Sequence, residues 1–167
     1  MTSITALLHT KNDALRLGRA LETLYACDDV LVVDHGSRDA TVRVAHEYGA
    51  TVMPAIAGTL PAEYLQSAAL PSKNPRWIFC LDPHESLTEK LAASLFEWKS
   101  ELANENSSTD RVFSVLVREE RPEGWLEIPT PQTRLVPPNW KRWDGRFPMA
   151  EPSALVLEGE LLRFAFP

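Results

Sequence analysis

Cysteine is scarce in this chain of 167 residues. Cys27 and Cys80 are the two present, each alone in apolar surroundings, and they build neither a disulfide framework nor a zinc-ligand spacing. A reducing, cytoplasmic compartment is therefore expected. The amino terminus, Met1-Thr-Ser-Ile-Thr5, lacks a basic region followed by a long apolar core, so neither a signal peptide nor a transmembrane segment is expected. Positive charge is outnumbered as well. With 17 Lys and Arg against 23 Asp and Glu the formal net charge is -6, which disfavours nucleic acid or an acidic membrane surface as the main partner. A local patch of Lys141, Arg142 and Arg146 can still hold a phosphate. There is no internal repeat and no low-complexity tract. The proline-rich stretch from Pro122 to Pro152 still carries Trp125, Trp140 and Trp143, which argues against disorder.

What the chain does have is the composition of an ordinary globular protein, with 44% hydrophobic and 24% charged residues. At this length one compact domain over 1–167 buries a core large enough to fold without staples. Its first half alternates strand and helix. Ile4 to His9 reads as a strand, and the helix after it carries Leu17, Ala20, Leu21 and Leu24 on one face. Val30 to Val33 form a short β-branched strand, with a helix bearing Val44, Ala45 and Tyr48 behind it, capped by Ser37 or Asp39 and stopped by Gly49 before the strand 51–53. Pro54 to Leu60 is a loop. A helix is expected from Pro61 to about Leu70, a central strand over Trp77 to Leu81, and a helix from Thr88 to about Leu102 whose stripe is Leu91, Leu95, Trp98 and Leu102. Asn104 to Asp110 is its polar exit. Arg111 to Val117 opens a more β-like, loop-rich half. Such alternation argues for an α/β sheet, parallel in its first half and mixed later, with helices on both faces.

Asp34 and Asp82 each end a strand that crossover geometry places near the other, and the Thr10-Lys11-Asn12 turn shares their rim. In open α/β sheets the ligand crevice lies outside the carboxyl ends of the strands, where a carboxylate accepts hydrogen bonds from a base or ribose. Asp82, His84 and Glu85 offer oxygen and imidazole ligands for a divalent ion bound to phosphates. The alternative for Asp34 is a turn cap, and for His84 a solvated turn residue. His35 and Ser37 sit too close together in one turn to form a hydrolase relay. His9 and His46 read as a strand-end and a helix-surface residue. The three tryptophans read as packing anchors rather than sugar platforms.

Taken in order, Leu8-His-Thr-Lys-Asn12, Val33-Asp-His-Gly-Ser-Arg-Asp-Ala-Thr41, Glu47-Tyr-Gly-Ala50, Trp77-Ile-Phe-Cys-Leu-Asp82 with Glu85, Gln132-Thr-Arg-Leu135, and Trp143-Asp-Gly-Arg146 through Glu151 to Gly159 resemble a family 2 glycosyltransferase of the GT-A fold. The likeness is to the small bacterial type related to lipopolysaccharide-core glycosyltransferases. The resemblance implies a three-layer α/β/α nucleotide-diphospho-sugar transferase domain, with residues 1–103 as the nucleotide-binding half and 111–167 as a β-rich acceptor side. By the same resemblance Thr10 and Asn12, with Lys11 between them, line the nucleotide pocket. Asp34 contacts the base, Ser37 and Asp39 fix that loop, and Asp82 belongs to a metal motif.

Three departures stand out. The family's second acid at the metal motif is His84 here, an exchange that favours Mn²⁺ over Mg²⁺. Gln66-Ser67-Ala68-Ala69-Leu70 replaces a basic residue and asparagine before Ala-Leu, and Ala150-Glu151 replaces His-Glu. Relatives also tend to continue past this point, so acceptor recognition is expected to be reduced or supplied elsewhere. The expected reaction is inverting transfer from a nucleotide-sugar donor to an envelope polysaccharide or glycolipid acceptor, with Glu151 as base and Asp144 second, and Arg134 and Arg146 pairing with phosphate or with those acids. The competing reading is a degenerate GT-A domain that binds a nucleotide or a partner without transfer.

Overall fold

The computed structural model describes residues 2–72, 76–102 and 111–167. Its elements run β1 (Ser3–Thr10), α1 (Ala14–Glu22), β2 (Asp29–Asp34), α2 (Thr41–Glu47), β3 (Thr51–Pro54), α3 (Pro61–Ser67), β4 (Arg76–Leu81), β5 (Glu85–Leu87), α4 (Glu89–Leu102), β6 (Phe113–Arg121), β7 (Gly124–Trp125), β8 (Thr130–Val136), β9 (Trp143–Asp144), β10 (Phe147–Pro148) and β11 (Leu155–Arg163).

One large sheet in the order β3-β2-β1-β4-β8-β6-β11-β5 carries the molecule, with β7 paired to β6 and a small separate hairpin of β9 and β10. The first four strands are parallel. β8 then runs antiparallel between β4 and β6, β11 is parallel to β6, and β5 closes the edge antiparallel to β11. This is the three-layer α/β architecture expected from the sequence, parallel first and mixed later. β1 lies at the centre of the parallel part and is buried along its whole length, as befits a strand covered on both faces.

Alternation along the strands sends side chains to two cores. Ile4, Ala6, Leu8, Val32 and Phe79 pack under α1, α2 and α4, through Leu17, Ala20, Leu21, Ala45, Leu91, Leu95 and Trp98. Leu7, Leu31, Val33, Ile78 and Cys80 face the other way, onto Ala62, Tyr64 and Leu65 of α3, with Trp140, Trp143 and Phe147 beside them. Trp140 and Trp143 are thus packing residues, whereas Trp125 is partly exposed and meets Phe164 edge to face. His46 lies on the exposed face of α2.

Two elements depart from the sequence expectation. α3 ends at Ser67 rather than near Leu70, because Ala68 turns extended at ψ 139 and Pro71 keeps the residue before it out of the helical region. The short strand β5 was not expected; pairing with β11 makes it. The polar exit at 104–110 lies outside the described residues, as does the side chain of Leu102. No helix among the described residues is long and apolar enough to cross a membrane.

Candidate functional site

The register of the parallel strands decides what meets at their carboxyl ends. Thr10 stands opposite Asp34, and Leu81 opposite Leu8, so Asp34, the 10–13 turn and Asp82 follow three adjacent strands, β2, β1 and β4. The expected convergence of these loops on one rim is present.

The two loops on the β1–β2 side are interlocked. Asp34 Oδ1 accepts from the Thr10 hydroxyl at 3.0 Å and the Ser37 hydroxyl at 2.5 Å, and Oδ2 accepts from the Ser37 backbone N–H at 2.9 Å. Burial pushes the Asp34 carboxyl up, but the hydrogen bonds from Ser37 and Thr10 outweigh it and hold the group below the ordinary carboxylate range. Ser37 Oγ in turn accepts from the Asn12 N–H at 2.9 Å, and Asn12 Oδ1 accepts from the Arg38 N–H at 2.8 Å. Asn12 adopts a left-handed φ of 55°, a conformation that asparagine tolerates better than most residues. Ser37 therefore ties loops together and does not cap α2.

The N-cap positions are Asp13 and Ala40, neither with a side-chain cap hydrogen bond, and Asp39 instead ties the first residues of both helices together. Its Oδ1 accepts from the Thr41 N–H at 3.0 Å and from the Thr41 hydroxyl, while Oδ2 accepts from the Ala14 N–H at 3.2 Å at the start of α1. Thr41 Oγ1 also accepts from the Asp13 N–H at 2.8 Å. Lys11 is exposed on this rim, its N–H given to Asp13 at 2.9 Å.

His9 and His35 form a second contact across the same strand ends, with His9 Nδ1 and His35 Nε2 2.9 Å apart and Tyr64 edge-on to His9 at 6.0 Å. One of the two facing nitrogens must donate and the other accept, so they cannot both carry a proton. Burial, then His35, then the positive field of Arg146 push His9 down to about 4. His35 is lowered by burial and Arg146, against the pull of Asp34. Arg146 sits in the β9–β10 hairpin, which thus brings its charge to this end of the sheet. The pairing of histidines was not read from the sequence; its signal is the register that sets residue 9 beside residue 33.

Beyond β4 the Asp82 turn is built differently. Asp82 Oδ1 accepts from the His84 N–H at 2.9 Å and lies 2.6 Å from His84 Nδ1, while Oδ2 faces Arg163 at 3.7 Å. Burial raises Asp82, but the His84 backbone N–H and the Arg163 charge bring it below its usual value. Glu85 is turned inward. Arg134 grips both its oxygens at 2.7 and 2.8 Å, Glu85 is fully buried, and its Oε1 also accepts from the Asp82 N–H at 2.8 Å. Arg134 also donates to the Cys80 carbonyl at 3.0 Å and lies under the Phe147 ring at 4.3 Å. Among the acids its partner is Glu85, 49 residues away, rather than Glu151 or Asp144.

These contacts test whether the turn suits a divalent cation. Glu85, expected as a ligand, has no oxygen free for one. Asp82 and His84 already bond to each other, and the remaining Asp82 oxygen faces a guanidinium. Among the described residues no group of three or more His, Cys, Asp or Glu side chains gathers as around a metal ion. The donor set does not fit a resident divalent metal.

Beyond β8, Glu151 lines a cavity of about 590 Å³ with Arg111, Trp140, Arg142 and Ser153. Its carboxylate accepts from the Ser153 hydroxyl at 3.0 Å and from Arg142 at 2.6 Å, and its N–H donates to Thr133 Oγ1 at 3.0 Å. The Ser153 hydrogen bond, followed by Arg142, holds Glu151 below its ordinary value. Asp144 stands exposed in the β9–β10 hairpin, apart from these contacts. Cys27 and Cys80 are free thiols, both pushed up to about 12 by burial.

No family model matches this chain. It is similar to an uncharacterized glycosyltransferase of Rickettsia felis, 33% identical over 94 residues, which cover 54% of this chain and 32% of that protein. The chain thus spans about a third of the curated relative it matches. Among solved structures it is similar to glucosyl-3-phosphoglycerate synthase from Mycobacterium tuberculosis in complex with Mn²⁺, UDP and glucosyl-3-phosphoglycerate. There the identity is 16%, the TM-score 0.47, and the coverage 70% of this chain and 44% of that one. It is also similar to S. aureus TarS, at 16% identity and a TM-score of 0.48, covering 73% and 22%. The resemblance to a glycosyltransferase read from the sequence and that of the Rickettsia protein point the same way.

Proposed function

We propose that this chain is a single GT-A-like glycosyltransferase domain that takes a sugar from a nucleotide-sugar donor and transfers it, with inversion, to a saccharide or glycolipid acceptor of the cell envelope, in the cytoplasm. The observation that carries the reading is Asp34, an ionised carboxylate fixed by Thr10 and Ser37 at the end of β2, in the crevice where open α/β sheets bind nucleotides. Because Asn12, Ser37 and Asp39 hold the two flanking loops to each other, that carboxylate is preorganised to accept hydrogen bonds from a nucleoside. Thr10, Lys11 and Asn12 line the nucleotide side.

In this reading Glu151 removes the proton of the acceptor hydroxyl as the new bond to the anomeric carbon forms. The bond from that carbon to the diphosphate breaks, and its electron pair leaves with the nucleoside diphosphate. Ser153 and Arg142 keep Glu151 ionised, the state a base requires. Asp144 is the second candidate.

Two ion pairs favour the alternative, a nucleotide- or partner-binding domain without transfer: Glu85 is locked by Arg134, and Glu151 is tied to Arg142. Isothermal titration with UDP, GDP and CMP tests the proposal. At least one nucleotide is expected to bind, and Asp34→Ala to weaken it about tenfold or more, the scale of a hydrogen bond to a charged group. Absence of binding to all three, or binding indifferent to Asp34→Ala, overturns it. Binding without turnover of the matching sugar nucleotide selects the alternative.

A further inference from the structure

The Asp82 turn raises a question of charge. Three carboxylates meet there: Asp82, Glu85 and Glu119. Arg163 Nη1 lies 3.7 Å from Asp82 Oδ2 and 3.6 Å from Glu85 Oε2, and its Nε lies 4.0 Å from Glu119 Oε1. Arg134 grips Glu85, and Arg121 stands 3.7 Å from Glu119, so three guanidiniums answer three carboxylates. A divalent ion entering at Asp82 would meet a full positive charge within a few ångströms, and of the Asp82 and Glu85 oxygens only Asp82 Oδ2 is not already hydrogen-bonded. Like charges at that separation repel strongly when water is partly excluded.

Arg163 is also held in place by the backbone. It is the last residue of β11, in register with Glu85 of β5 and Glu119 of β6, and the next residue, Phe164, donates its N–H to the His84 carbonyl at 2.9 Å. The end of β11 is thereby stitched to the same turn. The Arg163 side chain is still 35% exposed, so it can face both the turn and a ligand outside it. A guanidinium presents a fork of N–H donors that matches phosphate oxygens, which suits it to an anion that a metal would otherwise neutralise.

We propose that Arg163 is the resident cation of the Asp82 turn, standing in place of a divalent metal, and that a nucleoside diphosphate bound at this rim is neutralised there by Arg163 without a metal ion. The inference rests on the nucleotide-binding reading above for its ligand, but its account of the cation is independent of it.

Two titrations on the full chain test it. UDP and GDP are titrated in EDTA and in Mn²⁺ against the wild type, Arg163→Gln and Arg163→Lys, with thermal unfolding of each variant to establish that it is folded. Wild-type affinity is expected to agree within about threefold between EDTA and Mn²⁺. Arg163→Gln is expected to weaken the diphosphate about tenfold or more in EDTA, with Arg163→Lys in between. Wild-type binding that collapses in EDTA, or Arg163→Gln binding as the wild type does, overturns the proposal.

The second titration uses Mn²⁺ alone, with no nucleotide. Arg163→Gln is expected to gain at least about tenfold in Mn²⁺ affinity over the wild type, since it frees Asp82 and removes the repelling charge. Equal affinities overturn the proposal. Should neither diphosphate bind the wild type, the nucleotide reading fails, and the Mn²⁺ titration still decides whether Arg163 holds the cation's place.

Discussion

Arg134 and Glu85 form a two-pronged ion pair in the interior, 2.7 and 2.8 Å between the facing atoms, with both residues almost wholly removed from solvent. The pair joins β8 to the turn after β4 and sets how that turn leaves the sheet. It converts an acid that the sequence offers as a ligand into part of the frame.

Breaking the pair on one side leaves a buried charge unanswered. Arg134→Met or Glu85→Gln alone is expected to cost about 3–5 kcal/mol in urea unfolding. Glu85→Met combined with Arg134→Met is expected to recover much of that loss, because an apolar pair of similar volume avoids desolvating two charges. A double variant as damaged as the sum of the single ones would show that the hydrogen bonds to the Cys80 carbonyl and the Asp82 N–H carry the stability instead.

Gly159 lies in β11 at the register shift opposite β6, with φ at 95°, and a methyl group built there would come within 2.3 Å of the Leu91 backbone nitrogen. Strain and overlap act together, so Gly159→Ala is expected to destabilise by roughly 2–6 kcal/mol. Gly36, at φ 78° with open space around it, supplies the comparison. Gly36→Ala carries the backbone strain alone, about 1–3 kcal/mol. Thermal melts of the two variants should separate them clearly.

His9 predicts a pH dependence of folding. Its folded-state pKa of about 4 lies below the ordinary histidine value of 6.5, so between those values the unfolded chain binds a proton that the folded chain refuses. Stability is therefore full above about pH 6.5 and falls as the pH drops toward 4, by roughly 2–4 kcal/mol if His9 acts alone. His35 adds in the same direction, and Arg146, Lys11 and Asp34 are the charges facing the pair. Asp34 and Asp82 are lowered carboxylates, and their contribution is lost only below their ordinary value of 3.8, outside this window. Chemical unfolding at several pH values should show the slope, and His9→Phe should flatten it. A wild-type slope unchanged by His9→Phe would place its source elsewhere.

The parallel half was legible because its signals are local. Short β-branched runs such as Val30 to Val33 and the amphipathic stripe Leu17, Ala20 and Leu21 declare strand and helix within a few residues, and a carboxylate following such a run falls on the ligand-binding rim. The partners of those rim residues were less legible. Glu85 reads as a ligand until Arg134 arrives from a strand that the sequence does not place beside β4. Likewise, Arg163 becomes part of the Asp82 turn only through the pairing of β11 with β5. Contacts between distant segments leave no periodic trace in the sequence, and they decided which acids remain free.

The position of β11 has a consequence for how the protein is made. It lies inside the sheet, between β6 and β5, yet follows every other strand in the chain. Chains emerge from the ribosome amino terminus first, so β1 through β4 have the material to pair while β5 still lacks the neighbour that holds it. The rim at Asp34 can be complete during synthesis. The turn at Asp82 must wait until β11 docks, so the two ends of the crevice are finished at different times and the slower, long-range closure governs when the second can hold a ligand.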